Sequence, residues 1–165
     1  MASTKEHVVL LKVNGGERPI FEMEAAASTA IKPGMLIYES AAGKVSPIAS
    51  TNAPLRVWLA VEHPYQYVED DMSAAPTSPV DKTYAAGDTV YFIKPQRGDL
   101  VRLRYETAAN ATLGAFLAGY GATEVGFVHA VTPDASTVTQ ALFAVVAAAL
   151  TGVSGQVGWL KAEIL

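Results

Sequence analysis

The sequence contains no cysteine in its 165 residues. Disulfide bonds, cysteine metal sites and thiolate nucleophiles are therefore excluded, so stability must come from packing or from assembly with other chains. The lack of disulfides is compatible with a reducing compartment. A chain of this length can bury about 70% of the surface that its unfolded form exposes, which is enough for a hydrophobic core.

Charge is also scarce, because Asp, Glu, Lys and Arg make up 17% of the chain while hydrophobic residues make up 50%. Such a composition is too apolar for a disordered protein. No apolar run approaches the roughly 20 residues that a helix needs to cross a bilayer. The apolar stretch that follows Lys5 is interrupted by Lys12 and is too short for a secretory signal. We therefore expect a soluble globular protein with no export signal and no membrane partner.

The motifs of common enzyme classes are missing too, since the sequence has no P-loop, dinucleotide fingerprint or nucleophile elbow. His7, His63 and His129 are far apart and lack the spacing of metal ligands. The formal net charge of −4 disfavours nucleic acid, because binding to phosphates requires a positive field. We predict that the chain is not an enzyme and that it uses no metal, cofactor, nucleic acid or small-molecule substrate.

Alternating apolar and polar residues separated by glycine predict a mainly β fold. Residues 7–13 and 18–24 are expected to pair as a hairpin around Asn14-Gly15-Gly16. Further strands are predicted at 35–39, 44–48, 56–62, 87–94, 99–105, 113–117 and 124–131. Pro47 places the second of these at a sheet edge, because proline cannot donate a ladder hydrogen bond. Trp58 is a candidate for the core.

Two segments depart from the strand pattern. Residues 63–82 contain three prolines and the acidic run Glu69-Asp70-Asp71, which predicts a long surface loop. Apolar residues recur at helical spacing between 136 and 150, so one amphipathic helix is predicted there, with a strand as the rival interpretation. The expected fold is a small β-barrel or sandwich of glycine-punctuated strands with this one helix. It forms a single domain over residues 7–165, after a flexible arm at residues 1–6.

The sequence also contains a weak internal echo. The segment Pro33-Gly34-Met35-Leu36-Ile37 is similar to Leu113-Gly114-Ala115-Phe116-Leu117. Each is followed by a glycine turn and then by an apolar return strand, at residues 59–63 and 126–131 respectively. Such an echo is typical of a small barrel or sandwich that is built from two similar halves.

These segments, together with Ala85-Ala86-Gly87-Asp88-Thr89-Val90 and Pro95-Gln96-Arg97-Gly98-Asp99, resemble the capsid decoration, or cement, proteins of tailed bacteriophages. The resemblance covers about residues 31–131, and residues 65–82 and 141–149 depart from the family pattern. It implies a structural protein of the virion, commonly a homotrimer, that is made in the host cytoplasm. Such a protein binds the major capsid protein on the exterior of an assembled head and stabilises the contacts between capsomers.

The resemblance also implies that an N-terminal arm takes part in binding. Here the arm would contain Ser3, Thr4 and Lys5, which are polar enough to stay flexible until they pair with an exposed strand of a neighbour. These three residues are therefore the first candidates for a partner interface.

A basic set at the centre of the chain supplies the other candidates. Within the strand 99–105, alternate apolar residues are expected to pack inward, while Arg102 and Arg104 face water or a partner. Lys94 and Arg97 lie just before that strand. Paired arginines on one strand face can form bidentate hydrogen bonds to carboxylates of another chain. An ordinary solvated sheet face is the competing interpretation.

Two other classes of function stay open. A carbohydrate- or receptor-binding β module of a virion or cell surface would use exposed rings for stacking, with Trp58, Tyr65, Tyr67 and Tyr120 as candidates. A small β-barrel enzyme would need His63 or His129 as its acid or base.

The tripeptide Arg97-Gly98-Asp99 has the composition of a cell-adhesion motif. We predict instead that it forms a turn, in which Gly98 provides the bend and Asp99 bonds to nearby backbone.

Overall fold

The computed structural model describes residues 9–15, 17–26, 30–49, 56–63, 83–106, 111–119, 126–131, 142–146 and 157–165. Within these ranges the chain forms eleven β-strands and no helix. The strands are β1 (Leu10–Lys12), β2 (Phe21–Ala25), β3 (Leu36–Ala41), β4 (Lys44–Pro47), β5 (Trp58–Ala60), β6 (Thr89–Ile93), β7 (Leu100–Glu106), β8 (Phe116–Gly119), β9 (Val128–Val131), β10 (Leu142–Val146) and β11 (Val157–Ile164). The predicted mainly β fold class is confirmed.

Ten of these strands close into two five-stranded barrels. Barrel 1 has the strand order β2-β4-β3-β5-β6, and barrel 2 has the order β7-β9-β8-β10-β11. In each barrel the first and third strands in chain order pair in parallel, and the other neighbours are antiparallel. The remaining strand, β1, pairs with β7 and has no other partner among the described strands. Both barrels contribute to one continuous hydrophobic core.

The two barrels are duplicates in register as well as in strand order. The pairs of barrel 1 and their counterparts in barrel 2 are Phe21–Phe92 with Val101–Ala162, Ala25–Val45 with Tyr105–Val128, and Leu36–Leu59 with Phe116–Val145. The internal echo therefore marks a real duplication, and its first halves lie on the equivalent strands β3 and β8. Its second halves do not correspond, because β5 is the counterpart of β10, and β9 is the counterpart of β4.

The same glycine turn precedes β3 and β8. Gly34 and Gly114 both have φ near +80°, at 83° and 80°. The Gly34 amide donates to the Ala60 carbonyl at 2.8 Å, and the Gly114 amide donates to the Val146 carbonyl at 2.9 Å. Each turn is therefore bonded to the fourth strand of its own barrel.

The barrels contact each other through one of these turns and through Gly126. The Arg104 amide on β7 donates to the Gly34 carbonyl at 3.0 Å. The Gly126 amide donates to the Ile48 carbonyl and the Gly126 carbonyl accepts from the Leu36 amide, both at 2.7 Å. These backbone hydrogen bonds fix barrel 2 against the third and second strands of barrel 1.

Three sequence-based predictions about single elements were wrong. Residues 7–13 and 18–24 do not form a hairpin, because β1 pairs with β7 and β2 pairs with β4 and β6. The strand that contains Pro47 is not at an edge, because β4 has β2 on one side and β3 on the other. Pro47 is tolerated because the ladder with β2 ends two residues before it, at Val45.

The predicted helix is also replaced by a strand where the structure describes it. Residues 142–146 form β10 between β8 and β11, and the rest of the segment 136–150 lies outside the described residues. Ala144 and Val146 are buried while Val145 between them is half-buried, which is the period of a strand. The β-branched residues that supported the rival interpretation suit this position, since β10 closes barrel 2.

Replacing Gly34 with alanine should destabilise the protein much more than replacing Gly114 with alanine. Both backbones are left-handed, so each substitution costs about 1–2 kcal/mol in backbone strain. A Cβ at Gly34 would also collide with the ring of Trp159, which adds about 1–3 kcal/mol, whereas nothing lies within 4 Å of a Cβ at Gly114. Urea unfolding followed by tryptophan fluorescence measures both variants. Equal losses would contradict the packing of Gly34 on Trp159.

Candidate partner-binding surface

The outward face of β7 and β11 carries a pair of cations that we call the basic pair, Arg102 and Lys161. Every second side chain of β7 from Val101 points into barrel 2 and is fully buried, so Arg102 points outward. The antiparallel register places Arg102 directly opposite Lys161, which is exposed. Like charges that face each other across a ladder destabilise a sheet, and neither cation forms an ion pair with any residue that the structure describes. The basic pair is thus open to carboxylates of another chain.

Val9, the first residue that the structure describes, is fixed beside the basic pair. The Val9 carbonyl accepts the amide of Arg102 at 2.7 Å, and the Val9 amide donates to Oε2 of Glu62 at 3.3 Å. Burial raises the pKa of Glu62, while backbone hydrogen bonds from its own amide and that of Val9 oppose the rise. Ser3, Thr4 and Lys5 lie outside the described residues. The first described residue, Val9, lies next to the strand that carries Arg102.

Arg104 does not share this open face, which corrects the expectation that it faces water or a partner. It is 5% exposed, and its Nε donates to the Pro33 carbonyl at 2.9 Å. Its guanidinium lies 4.5 Å from the centre of the Trp159 ring. Alternation along β7 correctly directs Arg104 out of barrel 2. Barrel 1 covers Arg104 on that outward face. The alternation of residues within one strand does not indicate a contact with another barrel, so the sequence could not predict this burial.

Lys94 and Arg97 lie in the link between the barrels rather than on the basic pair's face. Lys94 is exposed, and its ammonium lies 4.1 Å from the centre of the Phe21 ring and 5.4 Å from that of Trp58. It therefore caps an aromatic cluster of barrel 1, in which Trp58 stacks on Phe92 at 4.7 Å. Arg97 is exposed in the turn before β7. Of the four predicted cations, Arg102 is the one that the structure places beside a second cation, Lys161.

The tripeptide that contains Arg97 forms the predicted turn. Gly98 has φ of 83°, and Asp99 is fully buried, with Oδ2 accepting the amide of Gln96 at 2.9 Å. Arg18 donates to both carboxylate oxygens of Asp99, at 2.8 and 2.7 Å. Burial alone would raise the pKa of Asp99, but the hydrogen bonds from Arg18 and from the backbone outweigh it and hold the pKa below its usual value. The sequence does not indicate that Arg18 pairs with Asp99, because 81 residues separate the two.

The alternative site residues show no comparable arrangement where the structure describes them. Trp58 is 5% exposed, so its ring is not presented to a ligand. Tyr65, Tyr67 and Tyr120 lie outside the described residues, as do His7 and residues 64–82 of the predicted loop.

The described ranges contain no group of three or more histidine, aspartate and glutamate side chains that could hold a metal ion. Nor does any helix in those ranges have the length and apolarity to cross a membrane.

The chain matches no protein-family model. It matches no curated protein either.

Replacing Asp99 with asparagine should lower the free energy of unfolding by about 3–5 kcal/mol at pH 7, because the cation of Arg18 would stay buried without its counter-charge. Since the folded pKa of Asp99 is below the usual 3.8, the carboxylate stabilises the fold above that pH. This contribution disappears as the pH falls through the lower, folded pKa. The difference between the wild type and the variant should therefore shrink in acid.

Urea titrations of both proteins between pH 7 and pH 3 test this. Glu24→Gln is the matched control, since its ion pair with Lys44 is exposed and should contribute less than about 1 kcal/mol. A loss for Asp99→Asn no larger than that of the control would contradict the role of the buried pair.

Proposed function

We propose that the chain is a capsid decoration protein, which binds the major capsid protein on the exterior of an assembled phage head and stabilises the contacts between capsomers. The proposal includes a homotrimer and no catalytic activity. It is carried by the basic pair, Arg102 and Lys161, which lacks a carboxylate partner among the described residues and lies beside Val9, the first residue that the structure describes. The sequence resemblance supplies the class of partner.

The architecture supports a function that is carried out by the exterior of the molecule. The ten strands of the two closed barrels leave no free sheet edge, and β1 is the one described strand with a single neighbour, so the barrels offer partners mainly outward side chains. Inward residues such as Phe92 and Tyr105 are aromatic and fully buried. The outward residues carry the charge.

The sign of the charge at the basic pair differs from that of the whole chain. The protein is acidic, with a net charge of −4, whereas Arg102 and Lys161 place two cations opposite each other in a small basic patch, with Glu163 two residues along the same face of β11. Such a patch orients a protein toward an acidic surface during its encounter with a partner. Three patches in a trimer would bind together, so weak contacts would add up to firm retention.

The proposal is tested by co-sedimentation of the purified protein with phage heads assembled from a major capsid protein. We expect the protein to pellet with heads, to ignore unassembled capsid subunits and to sediment as a trimer when alone. A monomer that stays in the supernatant would overturn the proposal.

A charge reversal at the basic pair should weaken binding to heads. Lys161→Glu places a carboxylate opposite Arg102, where it would form an ion pair within the chain and remove both cations from the surface. We expect at least a tenfold loss of affinity and a weaker dependence on salt. Lys44→Glu makes the same change of net charge on barrel 1 and should alter affinity less than about twofold, since it lies away from the proposed patch. Equal effects of the two variants would contradict the assignment of the patch.

A further inference from the structure

The duplicated fold builds the same turn twice, and we name the copies by their surroundings. The covered turn is residues 32–35 of barrel 1, and the open turn is residues 112–115 of barrel 2. In the covered turn the Met35 amide donates to the Lys32 carbonyl at 3.1 Å. In the open turn the Ala115 amide donates to the Thr112 carbonyl at 3.0 Å. Together with the bonds to Ala60 and Val146, this shows that the two turns have the same internal geometry.

Barrel 2 covers the first turn with one cation and one ring. The Arg104 backbone amide and Nε donate to the carbonyls of Gly34 and Pro33, at 3.0 and 2.9 Å. The ring of Trp159 lies against Gly34 so closely that no side chain fits between them. Pro33, Gly34 and Arg104 are all buried as a result.

The open turn presents the same features to solvent. Leu113 occupies the position of Pro33 and is 70% exposed, and nothing lies within 4 Å of a Cβ at Gly114. Within the described part of the chain, no donor reaches the carbonyls of Leu113 or Gly114. The open turn therefore offers an apolar side chain and two carbonyl acceptors to solvent. The protein buries the same arrangement at the covered turn.

We propose that the open turn is a docking site for a different protein, one that presents an arginine beside an aromatic ring. The pairing of Arg104 with Trp159 at the covered turn shows which groups fit this geometry. The backbone N–H and one guanidinium N–H of the arginine satisfy the two carbonyls, as those of Arg104 do at the covered turn, and a flat ring covers the glycine and the neighbouring apolar side chain. Arginine and tryptophan are also the residues that most often anchor protein interfaces.

A second copy of this chain does not supply those groups at its equivalent surface. The register places Glu24 of barrel 1 at the position of Arg104, and Thr89 at the position of Trp159. A carboxylate accepts hydrogen bonds and cannot donate to the Leu113 carbonyl. The Arg104 and Trp159 of a second copy are already engaged by that copy's own covered turn. The occupant is thus another protein, and only its identification as the major capsid protein rests on the proposed function.

A model partner allows the site to be tested without heads. A cyclised β-hairpin peptide that contains residues 102–105 and 158–161 of this chain presents Arg104 opposite Trp159. Added to the full-length protein with methyl-labelled leucine, it should shift the Leu113 resonance at millimolar peptide. A hairpin with alanine at both positions is the control. No shift at Leu113, or the same shift with the alanine hairpin, would overturn the proposal.

Binding to heads provides the second test. Leu113→Asp should lower affinity at least tenfold, whereas Ile20→Asp, at a residue that is 49% exposed on barrel 1, should change it less than twofold. Thermal unfolding should be similar for both variants, because both side chains are largely in solvent. If the wild type pellets and Leu113→Asp pellets equally well, the docking site is wrong while the decoration function stands. If the wild type does not pellet, the decoration function is wrong, and the hairpin titration still decides the docking site.

Discussion

The packing of the Pro33-Gly34 turn against Arg104 and Trp159 determines which surfaces of the two barrels are available to a partner. This contact makes the outward face of β7 and β11 at Arg104 and Trp159 part of the interface between the barrels. Arg104 is therefore not accessible to a partner, and Arg102 is the arginine of β7 that remains. The requirement for glycine follows from the same contact, because the turn combines a left-handed backbone with an approach that leaves no room for a Cβ. The asymmetry between a covered and an open turn has its origin here as well.

Closure is the second constraint on the molecule. A five-stranded barrel of strands three to eight residues long is small, so its interior is filled by its own side chains and its ladders are saturated. Binding then depends on outward residues. The duplication distributes these unequally, because equivalent outward positions hold Glu22 in barrel 1 and Arg102 in barrel 2. One backbone design thus presents an acidic and a basic surface in a single chain.

The strands of barrel 1 and β7 were predictable one at a time, since alternation and glycine turns are local signals, and Trp58 was correctly assigned to the core. Their partners were not predictable. The ladder between β7 and β11 joins Arg102 to Lys161, and no local pattern records a pairing over that distance. The segment 142–146 was misassigned because short apolar runs fit both periods, and closure of barrel 2 decided between them. Lys161 could have been expected to face outward from the alternation of residues 159–164, but its position opposite Arg102 could not.

Because the registers coincide, each half of the chain serves as a natural variant of the other. Barrel 1 places aromatic bulk at Phe21 and Phe92, where barrel 2 has Val101 and Ala162. At the far end of the same strand the order is reversed, since Tyr105 stands where barrel 1 has alanine. The same barrel backbone thus accommodates its largest inward side chains at one end in barrel 1 and at the other end in barrel 2. The two interiors are packed with different side chains. A residue already tolerated in one half is a rational starting point for redesigning the interior of its twin.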